Sequence, residues 1–250
     1  MKALILAAGY AVRLQPLTLS TPKPLLPVGG KKIIDRIISK ISAFKALDGI
    51  YVVTNRRFYK NFAEWLKESG CRKKISLVDD GTLTNETRLG AIRDMELVIR
   101  EKAIDDDLLV VAGDNLFELS IGSFIDFAAQ KKDGVSVALY DVRSLEAAKR
   151  FGVVSIDKAG RITEFEEKPQ FPKSTLISTG IYYFPRIIVP EIGRYLKAEG
   201  TKNDAPGYYI KWLSVKGRVY GFPFSQEWYD IGDLDSYKKA GEEYTKKNIL

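Results

Sequence analysis

Histidine is absent from this 250-residue chain, and cysteine occurs once, at Cys71. Without imidazole there is no Ser-His-Asp triad and no His-rich zinc site. A metal here must be held by oxygen, which points to hard cations such as Mg2+. Proton transfer falls to Asp, Glu, Lys or Tyr. A single cysteine excludes an internal disulfide and agrees with a reducing compartment, so a cytoplasmic location is expected. Cys71 has no base to activate it and is expected to be partly buried and inert. Long apolar runs are lacking as well: none reaches the roughly 20 residues of a membrane helix, and no membrane partner is expected. Low-complexity segments and internal repeats are also missing.

What is present is an excess of positive charge, a net +7 from 39 Lys and Arg against 32 Asp and Glu. Such an excess suits an anionic small substrate, and it also suits nucleic acid. The basic residues lie in short, separated groups (NRRF, CRKK, QKKD, TKKN) with no basic helix stripe. Nucleic acid is therefore not expected as a partner.

Short β-type runs alternate with helical patterns through the first half. KALILAA (2–8) reads as a buried strand, and KKIIDRIISKISAF (31–44) as a helix with Ile33, Ile34, Ile37, Ile38 and Ile41 on one face. Strands follow at 49–55, 74–80 and 107–115, separated by helices at 61–69 and near 88–101. This order predicts a parallel sheet with right-handed crossovers, covered on both faces. Later strands at 134–142, 152–169 (with a hairpin at DKAG) and 174–184 make the sheet mixed, and helices return near 186–199 and 235–247. With no linker in view, one domain with two lobes is expected.

The apolar start could be a secretory signal. It breaks at Gly9 after about ten residues and shows no cleavage pattern, so a first core strand explains it better. A connection of some twenty residues follows, from Gly9 to Gly30, carrying Arg13 and Lys23 and stiffened by Pro16, Pro22, Pro24 and Pro27. It leaves the carboxyl end of the first strand, where open α/β sheets bind ligands. A glycine turn with exposed N–H groups, followed by two cations on rigid supports, suits a polyphosphate. Neither G-x-G-x-x-G nor a Walker A loop is present.

The segment LAAGYAVRLQPLTLSTPKPLLPVGGKKIID resembles the amino-terminal signature of the sugar-phosphate nucleotidyltransferases. Four further stretches agree in order: GDN (113–115), FGVV (151–154), EEKP…STGIYYF (166–184) and WYDIGD (228–233). The resemblance implies an α/β fold of the Rossmann-like nucleotidyltransferase (GT-A) type, a three-layer αβα sandwich around a mostly parallel mixed sheet. It implies one nucleotidyltransferase domain over 1–250: a nucleotide-binding lobe at roughly 1–133, a sugar-phosphate-binding lobe at roughly 134–233, and a carboxyl-terminal helix at 234–250.

The implied activity transfers a nucleotidyl group from a nucleoside triphosphate to a sugar-1-phosphate with release of pyrophosphate, first of all glucose-1-phosphate with dTTP or UTP. The catalytic pair is then Arg13, facing the departing pyrophosphate, and Lys23, near the α-phosphate. Ala8, Gly9, Tyr10, Ala11, Val12, Asn85, Arg88 and Asp114 fall on the nucleotide side. Gly152, Glu167, Lys168, Thr179 and Gly180 fall on the sugar-phosphate side, the two glycines leaving room for the ligand and Thr179–Gly180 forming a turn. Asp114 and Asp230 are implied as the protein ligands of Mg2+. Asp233 is expected to cap the last helix, and IDDDL (104–108) to lead into a strand rather than hold a metal.

Two departures stand out. Where the family usually has a second glycine and a threonine before the arginine, this chain has Ala11 and Val12. Alanine is costly if the turn needs a positive φ, and valine has no hydroxyl. The base-reading stretch is DDGTLTNETRLG (79–90), without the glutamine-proline start of thymidylyl- and uridylyltransferases; Asn85 or Thr84 is available to bond a base and Arg88 to close over it. The β-helix that some relatives append is not expected. A homo-oligomer is compatible with the resemblance. The alternatives are a cytidylyltransferase for a non-sugar phosphate (inositol-1-phosphate or phosphocholine) and a nucleotide-binding regulatory subunit without turnover.

Overall fold

The computed structural model describes residues 1–71, 74–131 and 133–247. In chain order the elements are β1 (Lys2–Leu6), the short hairpin β2 (Pro27–Val28) and β3 (Lys31–Lys32), α1 (Ile33–Ser42), β4 (Gly49–Thr54), α2 (Tyr59–Glu68), β5 (Ile75–Asp79), α3 (Ala91–Glu101), β6 (Leu108–Ala112), β7 (Asn115–Phe117) and α4 (Ile121–Ala129). There follow β8 (Val135–Asp141), α5 (Leu145–Ala148), β9 (Gly152–Ile156), β10 (Ile162–Glu167), β11 (Leu176–Phe184), α6 (Glu191–Lys197), α7 (Pro206–Ser214), β12 (Val219–Phe224), β13 (Trp228–Asp230) and α8 (Leu234–Lys247).

β5, β4, β1 and β6 lie side by side and parallel. β11 then runs antiparallel to β6, and β8 and β9 antiparallel to β11. β12 adds in parallel to β8, and β10 antiparallel to β9. The sheet is therefore mixed with a parallel centre. Along β1 successive residues face opposite sides, as the two-residue strand period requires. Ala3 and Ile5 join a core with α1, α2 and α4, while Leu4 joins a second core with α3, α6 and α7. That is the expected sandwich, with the five isoleucines of α1 buried as the helical spacing predicts. No helix among the described residues is long and apolar enough to cross a membrane.

Several expectations hold in detail. The DKAG turn closes through Asp157 N–H donating to Arg161 O at 2.9 Å, with Gly160 at φ +78°. Asp233 Oδ1 accepts from the Ser236 N–H at 2.8 Å and caps α8. The acids of IDDDL serve the fold: Asp105 pairs with Arg186, and Asp107 accepts from the Tyr183 hydroxyl. Cys71 is half-buried beside Ser42.

Others are corrected. The run 107–115 is not one strand: β6 ends at Ala112 and the chain turns away into β7. The turn occurs at Gly113, whose N–H bonds Leu6 O at 2.8 Å and where a Cβ would meet that oxygen at 2.7 Å. Thr179–Gly180 is not a turn but a kink inside β11, whose register shifts between Ser178 and Tyr182 with Gly180 at φ +77°. The helix near 186–199 shrinks to α6, starting after Pro190. The helix near 88–101 begins only at Ala91, after Gly90 at φ +89°. α4, α7 and β12 go beyond what the sequence pattern predicts. The last helix is described to Lys247, so its expected extension over 248–250 lies outside the described residues.

Candidate active site

Two cavities open at the carboxyl end of the parallel strands. The larger, 320 Å³, is lined by the loop after β1 (Ala8, Gly9, Tyr10, Ala11), by Lys23, and by Asn85, Arg88 and Asp94. The smaller, 190 Å³, is lined by Arg13, Arg150, Glu167, Lys168, Thr179 and Asp230, among others. Asp114 lines both.

The loop after β1 is held from behind. Asn55, fully buried after β4, donates from Nδ2 to Ala8 O at 2.9 Å. The Tyr10 ring is buried against Phe58, with its hydroxyl 3.0 Å from Thr82 Oγ1, so Tyr10 offers the cavity mainly its backbone. Ala11 stands in the left-handed region at φ +46°, the strained geometry its side chain made costly, and the Thr18 hydroxyl donates to its carbonyl at 2.9 Å. Val12 is half exposed. The next residue, Arg13, emerges on the smaller cavity, whereas Lys23 lines the larger.

Lys23 follows Pro22 in a tight turn and reaches Asp114 Oδ2 at 2.9 Å. Its side chain is 12% exposed, so this pair works in a partly desolvated setting. Asp114 ends the apolar run of β6. The β7–β13 ladder sets Asp230 opposite Asn115, and the Ile231 N–H donates to Asp114 O at 3.2 Å. Two acids 116 positions apart in the chain are thus neighbours across one ladder. Burial, and then the charge of Asp114, push the Asp230 carboxyl up to about 6, against the opposing pull of Lys23, Arg150 and Arg13. A pair of adjacent carboxylates that repel each other, open to a cavity, is a donor set that suits a hard divalent cation. Among the described residues no cluster of three or more His, Cys, Asp or Glu side chains offers a more complete cage.

In the smaller cavity Lys168 is exposed in the left-handed region at φ +48°, its N–H bonded to Phe151 O. Burial raises the Glu167 carboxyl above its usual range, Lys168 opposing and Asp204 adding to the rise. Gly152 and Gly180 both line the smaller cavity, and each also has a packing role within the protein. A Cβ on Gly152 would meet the Phe165 ring at 2.5 Å and Glu167 Oε2 at 3.2 Å, so the space it leaves is taken by its own chain. A Cβ on Gly180 would meet Ala112 Cβ at 3.0 Å, so the kink of β11 needs glycine for packing and for its positive φ. The Thr179 hydroxyl donates to Ala138 O at 2.9 Å, so toward the smaller cavity it offers acceptor capacity only.

Arg88 donates to Asn85 O at 2.8 Å, which ties together two residues of the larger cavity's lining. Thr84 is exposed and meets Thr87 instead.

Sequence reasoning missed four contributors. Arg150 lines the smaller cavity, bonds Asp233 at 2.7 Å and lowers Asp230; its place immediately before the FGVV stretch was the available signal. Asn115, 1% exposed, donates to Thr179 O at 2.5 Å and accepts from Trp228 Nε1 at 3.1 Å, joining β7, β11 and β13 beside the acids. Gly207 clears the position of Glu167, and Asp94 lies buried under the larger cavity. No local pattern marks these two.

Residues 2–247 match the family described as nucleotidyl transferase. The chain is 31% identical to the bifunctional protein GlmU of Methanocaldococcus jannaschii over 93% of its own length and 51% of that protein's. It is 31% identical to a glucose-1-phosphate adenylyltransferase of Thermosipho melanesiensis, over 98% of its own length and 61% of that protein's. The chain thus spans only about half to three-fifths of these relatives. A crystal structure of a Bacillus anthracis protein described as a glucose-1-phosphate thymidylyltransferase superposes with a TM-score of 0.84 at 26% identity, covering 98% of this chain and 95% of that one.

Proposed function

The chain belongs to the nucleotidyl transferase family, and from that we infer that it transfers the nucleotidyl group of a nucleoside triphosphate to a sugar-1-phosphate, forming an NDP-sugar and pyrophosphate. The observation that carries the reading is the position of Asp114: it lines both cavities, is paired with Lys23, and has Asp230 beside it. The larger cavity, lined mostly from the 1–133 lobe, takes the triphosphate, and the smaller, lined mostly from the 134–233 lobe, takes the sugar phosphate.

The reaction asks little covalent chemistry of the protein. It asks for two polyanions to be brought together in line and for shifting charge to be neutralised. Lys23 stands at the junction to stabilise the phosphate under attack. Arg13 clamps the triphosphate from the side of the smaller cavity, while Lys168 and Arg150 hold the sugar's phosphate and Glu167 accepts from ring hydroxyls. Asp114 and Asp230 would hold Mg2+, which when bound supplies positive charge at the transferring phosphate. Glucose-1-phosphate with dTTP or UTP is the pair we put first, on the motifs of the smaller cavity and the thymidylyltransferase likeness.

The test is a panel of the five nucleoside triphosphates against sugar-1-phosphates, phosphocholine and inositol-1-phosphate with Mg2+, read as pyrophosphate release. Turnover with a sugar-1-phosphate is expected. Asp114→Asn is expected to lower it by about two orders of magnitude or more, with the circular dichroism spectrum unchanged. Binding without turnover in every pairing would instead make the chain a regulatory subunit.

A further inference from the structure

Under the larger cavity lies a carboxyl group that the reading above does not use. Asp94 sits on the inward face of α3, between the buried Ile92, Met95 and Val98, where helical spacing calls for an apolar residue. It is 6% exposed, lines the cavity together with Asn85 and Arg88, and its Oδ1 has no hydrogen-bond partner. Burying an unbonded carboxyl is costly, and a leucine here would avoid the cost. The nearby polar chain does not meet the need: Tyr10 bonds Thr82, and Thr82 gives both its N–H and its hydroxyl to Asp80 Oδ1. Asp94 thus carries an orphaned oxygen at a ligand cavity, on the same wall as Asn85 and Arg88 and within electrostatic reach of Tyr10 in the loop after β1.

We propose that Asp94 reads the nucleobase, donating one hydrogen bond to it and accepting one from it. This deepens the nucleotidyl-transfer reading and rests on it. Burial, and secondarily the charge of Asp80, push the Asp94 carboxyl up to about 8, so at neutral pH it keeps its proton. A protonated carboxyl presents an O–H donor beside a C=O acceptor, whereas a carboxylate only accepts. The matching base edge has a donor beside an acceptor, which for uracil or thymine is N3–H next to O4. The charged and titratable groups facing this volume are Asp80, Tyr10 and, beside Tyr10, Arg57, together with Lys23, Arg88, Asp114 and Asp204 around the cavity. Burial raises the Tyr10 phenol above its usual value, so it stays neutral at neutral pH.

Calorimetric titration at pH 7 with UTP, dTTP, CTP, ATP and GTP, and with inorganic tripolyphosphate as the base-free probe, tests this. Asp94→Ala is expected to weaken the tightest triphosphate about tenfold and to leave tripolyphosphate unchanged. Asp94→Asn, whose amide also donates and accepts, stays within about threefold of the wild type. Between pH 7 and about 8.8, below the ionisation of the base's own N3–H, the wild type progressively loses its preference for the triphosphate over tripolyphosphate as Asp94 ionises, and Asp94→Asn keeps its preference. Equal weakening of both probes in Asp94→Ala, no weakening at all, or no triphosphate bound better than tripolyphosphate overturns the proposal. Base-dependent binding that follows this pattern without pyrophosphate release in the panel would sink the transferase reading and leave the role of Asp94 standing.

Discussion

Asp230 is held half-buried next to a like charge, and that arrangement costs stability in the absence of a cation. Its carboxyl is raised from the ordinary 3.8 to about 6, so the folded protein binds a proton more readily than the unfolded chain does. Stability from this group therefore falls as pH rises from about 4 to about 6 and is flat above. Asp230→Asn removes the penalty: at pH 7.5 and without metal the variant is expected to melt above the wild type while losing turnover. Added Mg2+ is expected to raise the melting temperature of the wild type and not of the variant. A variant that melts below the wild type and still responds to Mg2+ would contradict the assignment. Ala11 shows a similar cost on the backbone, a left-handed alanine held by the Thr18 hydroxyl in the loop that carries Arg13. Its strain was legible in the sequence, because the cost of alanine at positive φ is a property of one residue.

At the level of elements, the short β7–β13 ladder does the joining, and Asn115 fixes it to the kink of β11. The loop after β1 could be read from the sequence because glycine, prolines and cations lie within thirty consecutive residues. The kink, the ladder and the role of Gly207 could not, because each exists only through contacts between distant segments. Gly207 is the sharpest case. It lies in the first turn of α7, where alanine would ordinarily favour the helix. A Cβ there would sit 1.9 Å from Glu167 Oε2. Gly207→Ala is expected to push Glu167 aside and raise KM for the sugar phosphate by about tenfold, with KM for the triphosphate unchanged. An unchanged KM for the sugar phosphate would remove Glu167 from the acceptor site.

Across the whole molecule, the mixed sheet with its parallel centre places every expected cation and both acids at one end, around two adjoining cavities. The order of strands and helices in the first half was readable from periodicity, and the mixed second half from its hairpin. The way the two halves share Asp114 was not, since it depends on β6 ending one residue before Gly113. On the proposed function, Asp114 and Asp230 together grip one divalent ion where the substrates meet. Mn2+ titration followed by electron paramagnetic resonance, in the presence of nucleoside triphosphate, measures it directly. One tight site per chain is expected in the wild type and its loss in both Asp114→Asn and Asp230→Asn; wild-type Mn2+ affinity in either variant would refute a shared metal site.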